Sequence, residues 1–532
     1  MAGLTEQWGR TARQVVADRG WVLWLALGGA LALLGVGAFT LSHAYDASQE
    51  VRKLGPTVPV NEGARDPADI AANNSPAVAR SPVDARKLVV ANRIDSPRYS
   101  CSVHKSSNAG STWSQTPVPA PKGEGICYAP DLAFGGDGTL YMTFVTLRGL
   151  GNVPNAAWLV TSKDGGKTFS EPRRLLGRLP FQVRLAADPA RPRSVYVTWL
   201  QARDVGLYSL ARPGNPIRAM RSDDGGQTWQ PSVRVSGRGH ARADAASPAV
   251  GPDGELYVLY LDLGDDVLDY EGGHQGRGGP PYQGNWQLVL ARSQDRGRSW
   301  RESVVERTLV PSERFVAFIP PFPSLAVDGR SGRIYASFED ASLGDADVWV
   351  WSLPRGGSAW EGPTRVNDTR RRDRTTQYRP KLAVAPNGRL DVVYYDRRAD
   401  RRDVMNEVSF QFSSDGGKTY SPRVRLSDKA FSSRIGFGHD RGLPDIGSRL
   451  GLLSTDSRAL AIWTDTRAGT VYSNKQDLAQ GIVAFSDPPR LSDAVESILR
   501  YGGIALALAG LLVAGWALLW LRRPLAGRAQ AR

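Results

Sequence analysis

One short phrase, Ser-x-Asp-x-Gly-x-Thr/Ser-aromatic, recurs along the chain and constrains its fold more than any other feature. Full copies occupy residues 162–169, 222–229, 293–300 and 413–420. A weaker copy at 106–113 has Asn108 in place of the acid, and residues 352–360 keep only Ser, Gly and Trp. A unit that returns at such intervals builds a repetitive architecture.

A second phrase alternates with the first and consists of two short apolar runs joined by a Gly, Asp or Pro turn, as in residues 247–262. This pattern is typical of a β-hairpin. A third apolar run precedes each Ser-Asp phrase and a fourth follows it. Four-stranded units repeated radially form a β-propeller. We therefore predict an all-β, seven-bladed β-propeller over residues 75–493, with six blades as the alternative if the first unit only completes the last blade.

The Ser-Asp phrase joins the third and fourth strands of each predicted unit. Its Gly permits positive φ in a tight turn, and its Ser and Asp can hydrogen-bond the backbone of that turn. The carboxylates therefore belong to the architecture. Function is expected on the opposite rim, where the strand 2–3 and strand 4–1 connections lie on a rigid scaffold.

The phrase resembles the Asp box of BNR-repeat proteins, and the chain resembles the sialidase-like propellers over almost its whole extramembrane length. In that family the boxes lie opposite the ligand funnel. The resemblance implies that the chain binds an anionic glycan or carboxylated sugar. Two alternatives stay open: an exo-α-sialidase-like glycosidase, and a non-catalytic scaffold for a membrane or cell-envelope protein complex.

Arginines are concentrated in the rim connections of the sixth and seventh units. Planar guanidinium groups bind carboxylates bidentately, and sialidases carry an aromatic-Arg-Ile-Pro phrase that Tyr378-Arg379-Pro380 matches without the isoleucine. The alternative is a solvated loop in which Arg pairs with neighbouring Asp. The predicted substrate-binding residues are Tyr378, Arg379, Arg397, Arg398, Asp465 and Arg467. Further candidates in the same connections are Arg370, Arg371, Arg372, Arg374, Arg401 and Arg402.

An acid recurs at the end of strand 2, at Asp262, Asp340, Asp396 and Asp465. Sialidases use a Tyr assisted by a Glu, with a separate Asp as acid/base. If one of these acids is catalytic, Asp396 beside Tyr395 is the candidate. Recurrence in four units favours the alternative of a structural cap that pairs with a neighbouring blade. A Gly-rich insertion at 263–285 is interpreted as a lid, a partner-binding loop or a plain solvated loop.

Both ends of the chain carry an uncharged segment, Trp21–Leu41 and Tyr501–Leu521. A helix of this length spans about 30 Å, the thickness of a bilayer core. Arginines in the last eleven residues predict a cytoplasmic tail. We expect a two-pass cell-membrane protein with cytoplasmic ends (1–20 and 522–532), helices at 21–41 and 500–521, a linker at 42–74 and an extracytoplasmic propeller. The alternative for the first segment is a cleaved signal peptide.

The two cysteines, Cys101 and Cys127, lie in adjacent units. Outside the cytoplasm such a pair can oxidise, so we predict a disulfide, with two separate thiols as the alternative. The sequence contains no recognisable His/Cys metal set or Gly-rich phosphate loop, and no cofactor or metal is expected. The formal charge of +14 is weak evidence for an anionic partner, and nucleic acid is excluded for an extracytoplasmic domain.

Overall fold

The computed structural model describes residues 22–41, 50–66, 68–125, 127–149, 152–204, 212–268, 282–312, 321–436, 446–486 and 493–521. These residues form two compact units, one built from the chain ends and one spanning Arg52–Ala484. The larger unit consists of seven antiparallel sheets, which confirms the predicted seven-bladed β-propeller.

The strands of the propeller follow one another in chain order from the inside of each blade to the outside. The first strand of the chain is β1 (Glu50–Pro59). Blade 1 contains β2 (Asn73–Arg80), β3 (Leu88–Ile94), β4 (Ser100–Ser106) and β5 (Ser114–Thr116). Blade 2 contains β6 (Cys127–Phe134), β7 (Leu140–Arg148), β8 (Val153–Ser162) and β9 (Arg173–Leu176). Blade 3 contains β10 (Pro180–Ala187), β11 (Val195–Gln201), β12 (Ile217–Ser222) and β13 (Val233–Arg234).

The remaining blades repeat this order. Blade 4 contains β14 (Ala243–Val250), β15 (Leu256–Asp262), β16 (Trp286–Ser293) and β17 (Arg301–Leu309). Blade 5 contains β18 (Ser324–Val327), β19 (Ile334–Asp340), β20 (Asp347–Leu353) and β21 (Glu361–Arg365). Blade 6 contains β22 (Gln377–Val384), β23 (Leu390–Asp396), β24 (Met405–Ser413) and β25 (Val424–Arg425), and β26 (Phe431–Ser432) also pairs with β24. Blade 7 contains β27 (Gly451–Ser454), β28 (Arg458–Asp465) and β29 (Asp477–Ser486).

The fourth strand of blade 7 is β1, which comes from the other end of the chain and pairs with β29. The Val60 amide donates to the Leu478 carbonyl at 2.8 Å, next to this pairing. The first repeat unit builds a blade of its own. Strand β1 lies within residues 42–74, which were predicted from the sequence to form a linker. Its Gly-Pro pair is tolerated because β1 is the outermost strand of its sheet.

The second strands of the blades are buried on both faces, as in β15, β19 and β23, where every residue is buried. Each sheet is covered by two neighbouring blades, so these strands read as nearly continuous apolar runs. These apolar runs explain why the β-hairpins could be predicted from the sequence.

The Asp boxes are turns between the third and fourth strands, as predicted. In blade 3 the Ser222 hydroxyl donates to Asp224 Oδ1 at 2.7 Å and accepts the Gly226 amide at 2.8 Å. Thr228 Oγ1 donates to Asp224 Oδ2 at 2.6 Å. Hydrogen bonds from the Thr228 hydroxyl and amide lower the pKa of Asp224 well below its usual range. The carboxylate thus organises its own turn.

The smaller unit contains helix α1 (Val22–Leu41), the short helix α2 (Asp493–Ser497), a π-helical turn (Ile498–Gly502) and helix α3 (Gly503–Leu521). Two stretches, Val22–Leu41 and Ile498–Leu519, are long and apolar enough to cross a membrane. Helices α1 and α3 approach closely: a Cβ added to Gly28 would lie 2.7 Å from the Gly510 carbonyl oxygen. Large side chains such as Leu33 and Leu512 are each 76% exposed.

Replacing one Asp-box carboxylate tests the turn. We expect Asp224→Asn to lower Tm at neutral pH by about 2 °C, because the neutral amide cannot accept all of the turn's hydrogen bonds. The carboxylate's depressed pKa means that its contribution is present above pH 4 and is lost as pH falls through the folded pKa. The Tm difference from wild type should therefore shrink towards pH 2. Asp265→Asn, at a fully exposed acid, is the control; an equal Tm loss there would contradict the assignment.

Candidate functional site

The innermost strands share an irregularity that directs side chains towards the propeller axis. Strands β2, β6, β10, β14 and β22 each shift register at a bulge near their start. A non-glycine residue in each bulge has positive φ, between 48° and 55°; these residues are Ser75, Ala129, Gln182, Ala245 and Arg379. Bulges re-aim side chains and are common beside functional sites. The residues that resume pairing are Ala77, Asp131, Arg184, Ser247 and Lys381.

These strands surround a cavity on the axis, which we call the axial cavity, of about 170 Å³ with lining residues from all seven blades. Its charged lining consists of Asp131, Arg184, Arg379, Lys381 and Arg449. Asp131 Oδ1 lies 3.2 Å from Arg184 Nη1 and 3.7 Å from Arg449 Nη1. Burial and the nearby Arg184 charge lower the pKa of Lys381 to about 8. The cavity lining therefore carries more positive than negative charge.

A second cavity of about 150 Å³, which we call the mouth pocket, shares Arg184, Phe322, Ser448 and Arg449 with the axial cavity. It lies on the rim of the strand 2–3 and strand 4–1 connections, opposite the Asp boxes. Three arginines and three aromatic residues contribute to its lining: Arg93, Arg184, Arg449, Tyr128, Phe181 and Phe322. Sequence reasoning missed this set, because its members come from different blades and no local motif marks them.

The three arginines of the mouth pocket are held by the fold. The Arg93 Nε group donates to Asn74 Oδ1 at 2.7 Å and to Asp95 Oδ2 at 3.1 Å. The Arg184 guanidinium lies 4.9 Å from the centre of the Phe322 ring. Arg449 Nε donates to the Ser75 carbonyl at 3.0 Å. These contacts, with Asp95 beside Arg93 and Asp131 beside Arg184 and Arg449, fix the positions of the three guanidinium groups.

The predicted catalytic pair lies inside blade 6. Tyr395 is fully buried, and its hydroxyl accepts the Thr464 amide at 3.0 Å. Burial raises the pKa of Tyr395 well above its usual value. Asp396 is also fully buried, and accepts Ser409 Oγ and Arg398 Nε, both at 2.6 Å. The catalytic assignment stays a prediction, and these contacts give both side chains a structural role.

The strand-ending aspartates share one contact, which explains their recurrence. Each accepts the backbone amide two residues further on, with donor–acceptor distances between 2.8 and 3.3 Å; the pairs are Asp262 with Gly264, Asp340 with Ser342, Asp396 with Arg398 and Asp465 with Arg467. This is an Asx-type cap that turns the chain out of strand 2. The cap orders the aspartate's own connection. In two units the carboxylate also contacts the connection that arrives from the preceding blade: Asp340 Oδ2 accepts the Val310 amide at 2.8 Å, and Asp262 Oδ2 lies 2.8 Å from His240 Nδ1.

The predicted arginines separate in the structure. Arg397 is fully buried, where it donates to Asn406 Oδ1 at 3.1 Å and to the Tyr378 hydroxyl at 3.3 Å. Arg398 pairs with Asp396 and Asp368. Arg467 pairs with Asp465 at 2.7 Å. Their substrate-binding role stays a prediction, with each guanidinium paired as in the alternative interpretation.

Of the predicted arginines, Arg379 is the one that lines the axial cavity. Its amide donates to Glu339 Oε2 at 3.1 Å, and its guanidinium lies 5.7 Å from the centre of the Tyr378 ring. Burial raises the pKa of Glu339 to about 7, although the Arg379 charge opposes the shift. The exposed arginines that flank it in sequence are Arg370, Arg371, Arg372, Arg374, Arg401 and Arg402.

Two further features complete the comparison with the sequence. Cys101 and Cys127 form a disulfide between β4 and β6, with 5.4 Å between their Cα atoms. The Gly-rich insertion falls largely outside the described residues, since 269–281 are not among them. The first twenty residues and the basic tail at 522–532 also lie outside them.

A tyrosine–glutamate pair that the sequence did not reveal lies within blade 4. Tyr260 donates to Glu302, and His240 bridges Asp262 Oδ2 at 2.8 Å and Glu302 Oε2 at 3.6 Å. Tyr260 is fully buried, and burial raises its pKa far above the usual value. The Asp262 hydrogen bond raises the pKa of His240. This cluster ties the connection before β14 to the blade.

Comparison with known proteins agrees with the fold. The BNR/Asp-box repeat model matches residues 220–231. No curated protein is significantly similar to the chain in sequence. A solved protein of unknown function from Dyadobacter fermentans is 14% identical, with a TM-score of 0.44 over 82% of this chain and 99% of that one. An α-L-arabinofuranosidase from Fusarium graminearum is 15% identical, with a TM-score of 0.43 over 68% of this chain and 98% of that one. A Hadza microbial sialidase is 13% identical, with a TM-score of 0.40 over 75% of this chain and 74% of that one.

These likenesses concern the architecture. The repeated boxes, one of which the BNR/Asp-box repeat model matches, and the seven sheets identify the chain as an Asp-box β-propeller.

The His240 cluster predicts a pH-dependent stability. The pKa of His240 is higher in the folded than in the unfolded chain, where it is near 6.5. Protonated His240 therefore stabilises the fold fully below pH 6.5, and this stabilisation is lost as pH rises through the folded pKa. The Tm advantage of wild type over His240→Gln should be largest near pH 6 and decline by pH 8.5. His104 is the internal comparison, because burial lowers its pKa to about 4. The advantage of wild type over His104→Gln should instead decline below pH 6.5. Parallel pH profiles for both variants would contradict the assignment.

Proposed function

We propose that this chain is a membrane-anchored, extracytoplasmic propeller that binds a carboxylated sugar of a glycan in the mouth pocket. The observation that carries the proposal is the convergence of Arg93, Arg184 and Arg449 with three aromatic rings in one pocket. A few placed polar groups among aromatic walls are typical of a small-ligand site.

The two parts of the pocket suit two parts of such a ligand. A guanidinium recognises a carboxylate through paired N–H donors. The Tyr128, Phe181 and Phe322 rings offer flat apolar surface to the sugar ring. Asn152 and Gln182 add polar groups to the same lining. The pocket can therefore recognise both the negative charge and the ring of a carboxylated sugar.

The contacts favour binding over hydrolysis. Glycosidases need two carboxyl groups, or one with another nucleophile, facing the scissile bond. The strand-ending aspartates are occupied as caps, and Tyr395 and Asp396 are fully buried. Asp244 and Glu339 have raised pKa values of about 7 because of burial, yet neither lines the mouth pocket. We therefore expect the wild-type protein to release no product from fluorogenic sialosides. If the wild type hydrolyses them and Asp396→Asn and Tyr395→Phe do not, the preference for binding over hydrolysis is wrong.

Membrane anchoring is supported by the terminal unit. Helices α1 and α3 are paired through glycines, with Trp24 and Trp516 in edge contact at 6.1 Å between ring centres. A segment that packs against the last helix has a reason to be retained, which favours a span over a cleaved signal peptide. The outward-facing leucines suit a lipid environment.

Glycan binding is tested with matched ligands. Full-length protein in detergent should bind oligosaccharides ending in glucuronate, galacturonate or sialic acid, and binding of the methyl ester of the same sugar should be about tenfold weaker, because a charged hydrogen bond is lost. Phe181→Ala and Arg184→Gln should each weaken binding of the acid about tenfold. Tyr472→Ala, at an exposed side chain outside the pocket lining, is the control. Equal binding of acid and ester, or binding to none of the three acids, would refute the proposal.

Topology is tested by cysteine labelling in intact cells, after replacing both native cysteines with serine. A cysteine at Tyr472, whose side chain is 95% exposed, should react with an impermeant maleimide. Cysteines at Thr5 and Ala526 should react only after permeabilisation, because basic flanks stay in the cytoplasm. Loss of the Thr5 label from the mature chain would show that the first segment is cleaved.

A further inference from the structure

We propose that the axial cavity is a separate binding site for a small oxyanion such as phosphate or sulfate, held by Lys381, Arg184 and Arg449. The site shares Arg184 and Arg449 with the mouth pocket. It differs from that pocket in Lys381, which lines only the axial cavity, whereas Arg93 and Phe181 line only the mouth pocket.

The first argument is the charge of the lining. Asp131 is the acidic residue among the described lining residues, and it already has three neighbours. Its Oδ2 accepts the Leu185 amide at 2.8 Å, while its Oδ1 faces Arg184 at 3.2 Å and Arg449 at 3.7 Å. One carboxylate therefore offsets part of the charge of the four cationic side chains in the lining.

The second argument is the set of unused donors. Among the described residues, Lys381 makes no side-chain hydrogen bond or salt bridge, although the Asp131 carboxylate acts on its charge. The Arg184 Nε and Nη1 atoms are buried and also make no hydrogen bond. Cations that are partly buried and share one carboxylate are only partly compensated, and a bound anion would add the missing charge and accept the unused N–H donors.

The third argument is size and the state of the other polar groups. A cavity of about 170 Å³ has room for a small oxyanion together with several water molecules. Two serine hydroxyls of the lining are engaged elsewhere: Ser247 donates to the Pro323 carbonyl at 2.7 Å, and Ser324 accepts the Leu382 amide at 2.8 Å. The donors that remain are the cationic groups and the Ser324 O–H, which favours an anion over a neutral ligand.

The lysine makes the site pH-dependent. The charged groups that face Lys381 from the other inner strands are Asp131, Arg184 and Arg449, with Arg379 on its own strand. Burial and Arg184 lower the pKa of Lys381 to about 8. The ammonium is charged below that value, so anion affinity should fall as pH rises through 8.

The test uses full-length protein in detergent, with inorganic phosphate as the probe and chloride at matched ionic strength as the reference. At pH 7 we expect saturating phosphate to raise Tm by about 2–4 °C, and the rise should be smaller at pH 9. Lys381→Met should lose the phosphate response without losing stability in phosphate-free buffer, because it removes a half-buried cation that lies beside other cations. Lys418→Met, at an exposed lysine of an Asp box, should respond like wild type.

Two further variants separate this site from the mouth pocket. Phe181→Ala should keep the phosphate response although it weakens glycan binding, and Lys381→Arg should keep the response at both pH values. A phosphate-induced Tm shift in Lys381→Met equal to that of Lys418→Met would overturn the proposal. So would an absence of any response in wild type, confirmed by calorimetric titration with phosphate and with sulfate.

Discussion

The pairing of β1 with β29 is the interaction on which the rest of the propeller depends. A twisted sheet with two apolar faces is stable only when both faces are covered, and in a ring each blade covers its neighbours. The ring stays closed because blade 7 takes its outer strand from the beginning of the chain and its other three from the end. The Asn61 side-chain amide donates to Asp477 Oδ1 at 2.9 Å beside this joint. Closure in turn brings seven inner strands around one axis.

The two rims of the ring use aspartate in different ways, yet on both the carboxylate accepts backbone amides of its own turn. On one rim the Asp boxes order the turns between the third and fourth strands. On the other, Asp262, Asp340, Asp396 and Asp465 cap the exits of the second strands. The acidic residues that recur in the sequence therefore have a structural role in these turns. Their recurrence is a poor indicator of catalytic residues in this fold.

The centre of the ring has the opposite character, because its polar groups are only partly satisfied by the protein. Asp131, Arg184 and Lys381 occupy equivalent positions after the bulges of three inner strands. Charged side chains that form no motif in the sequence thus share one enclosed space, where the low dielectric constant strengthens the interactions between charges. The mouth pocket and the axial cavity both draw on this concentration of positive charge.

The sequence by itself determined the blades and the apolar terminal helices, because those features depend on local periodicity: alternating runs, turn residues and long uncharged segments. It also marked Cys101 and Cys127 as neighbours in adjacent units. Tertiary structure alone decided the ring-closing role of β1, the burial of Tyr395 and Arg397, and the meeting of Arg93, Arg184 and Arg449. Those three arginines are separated by 91 and 265 residues, and only ring closure, which no local pattern encodes, places them around one pocket.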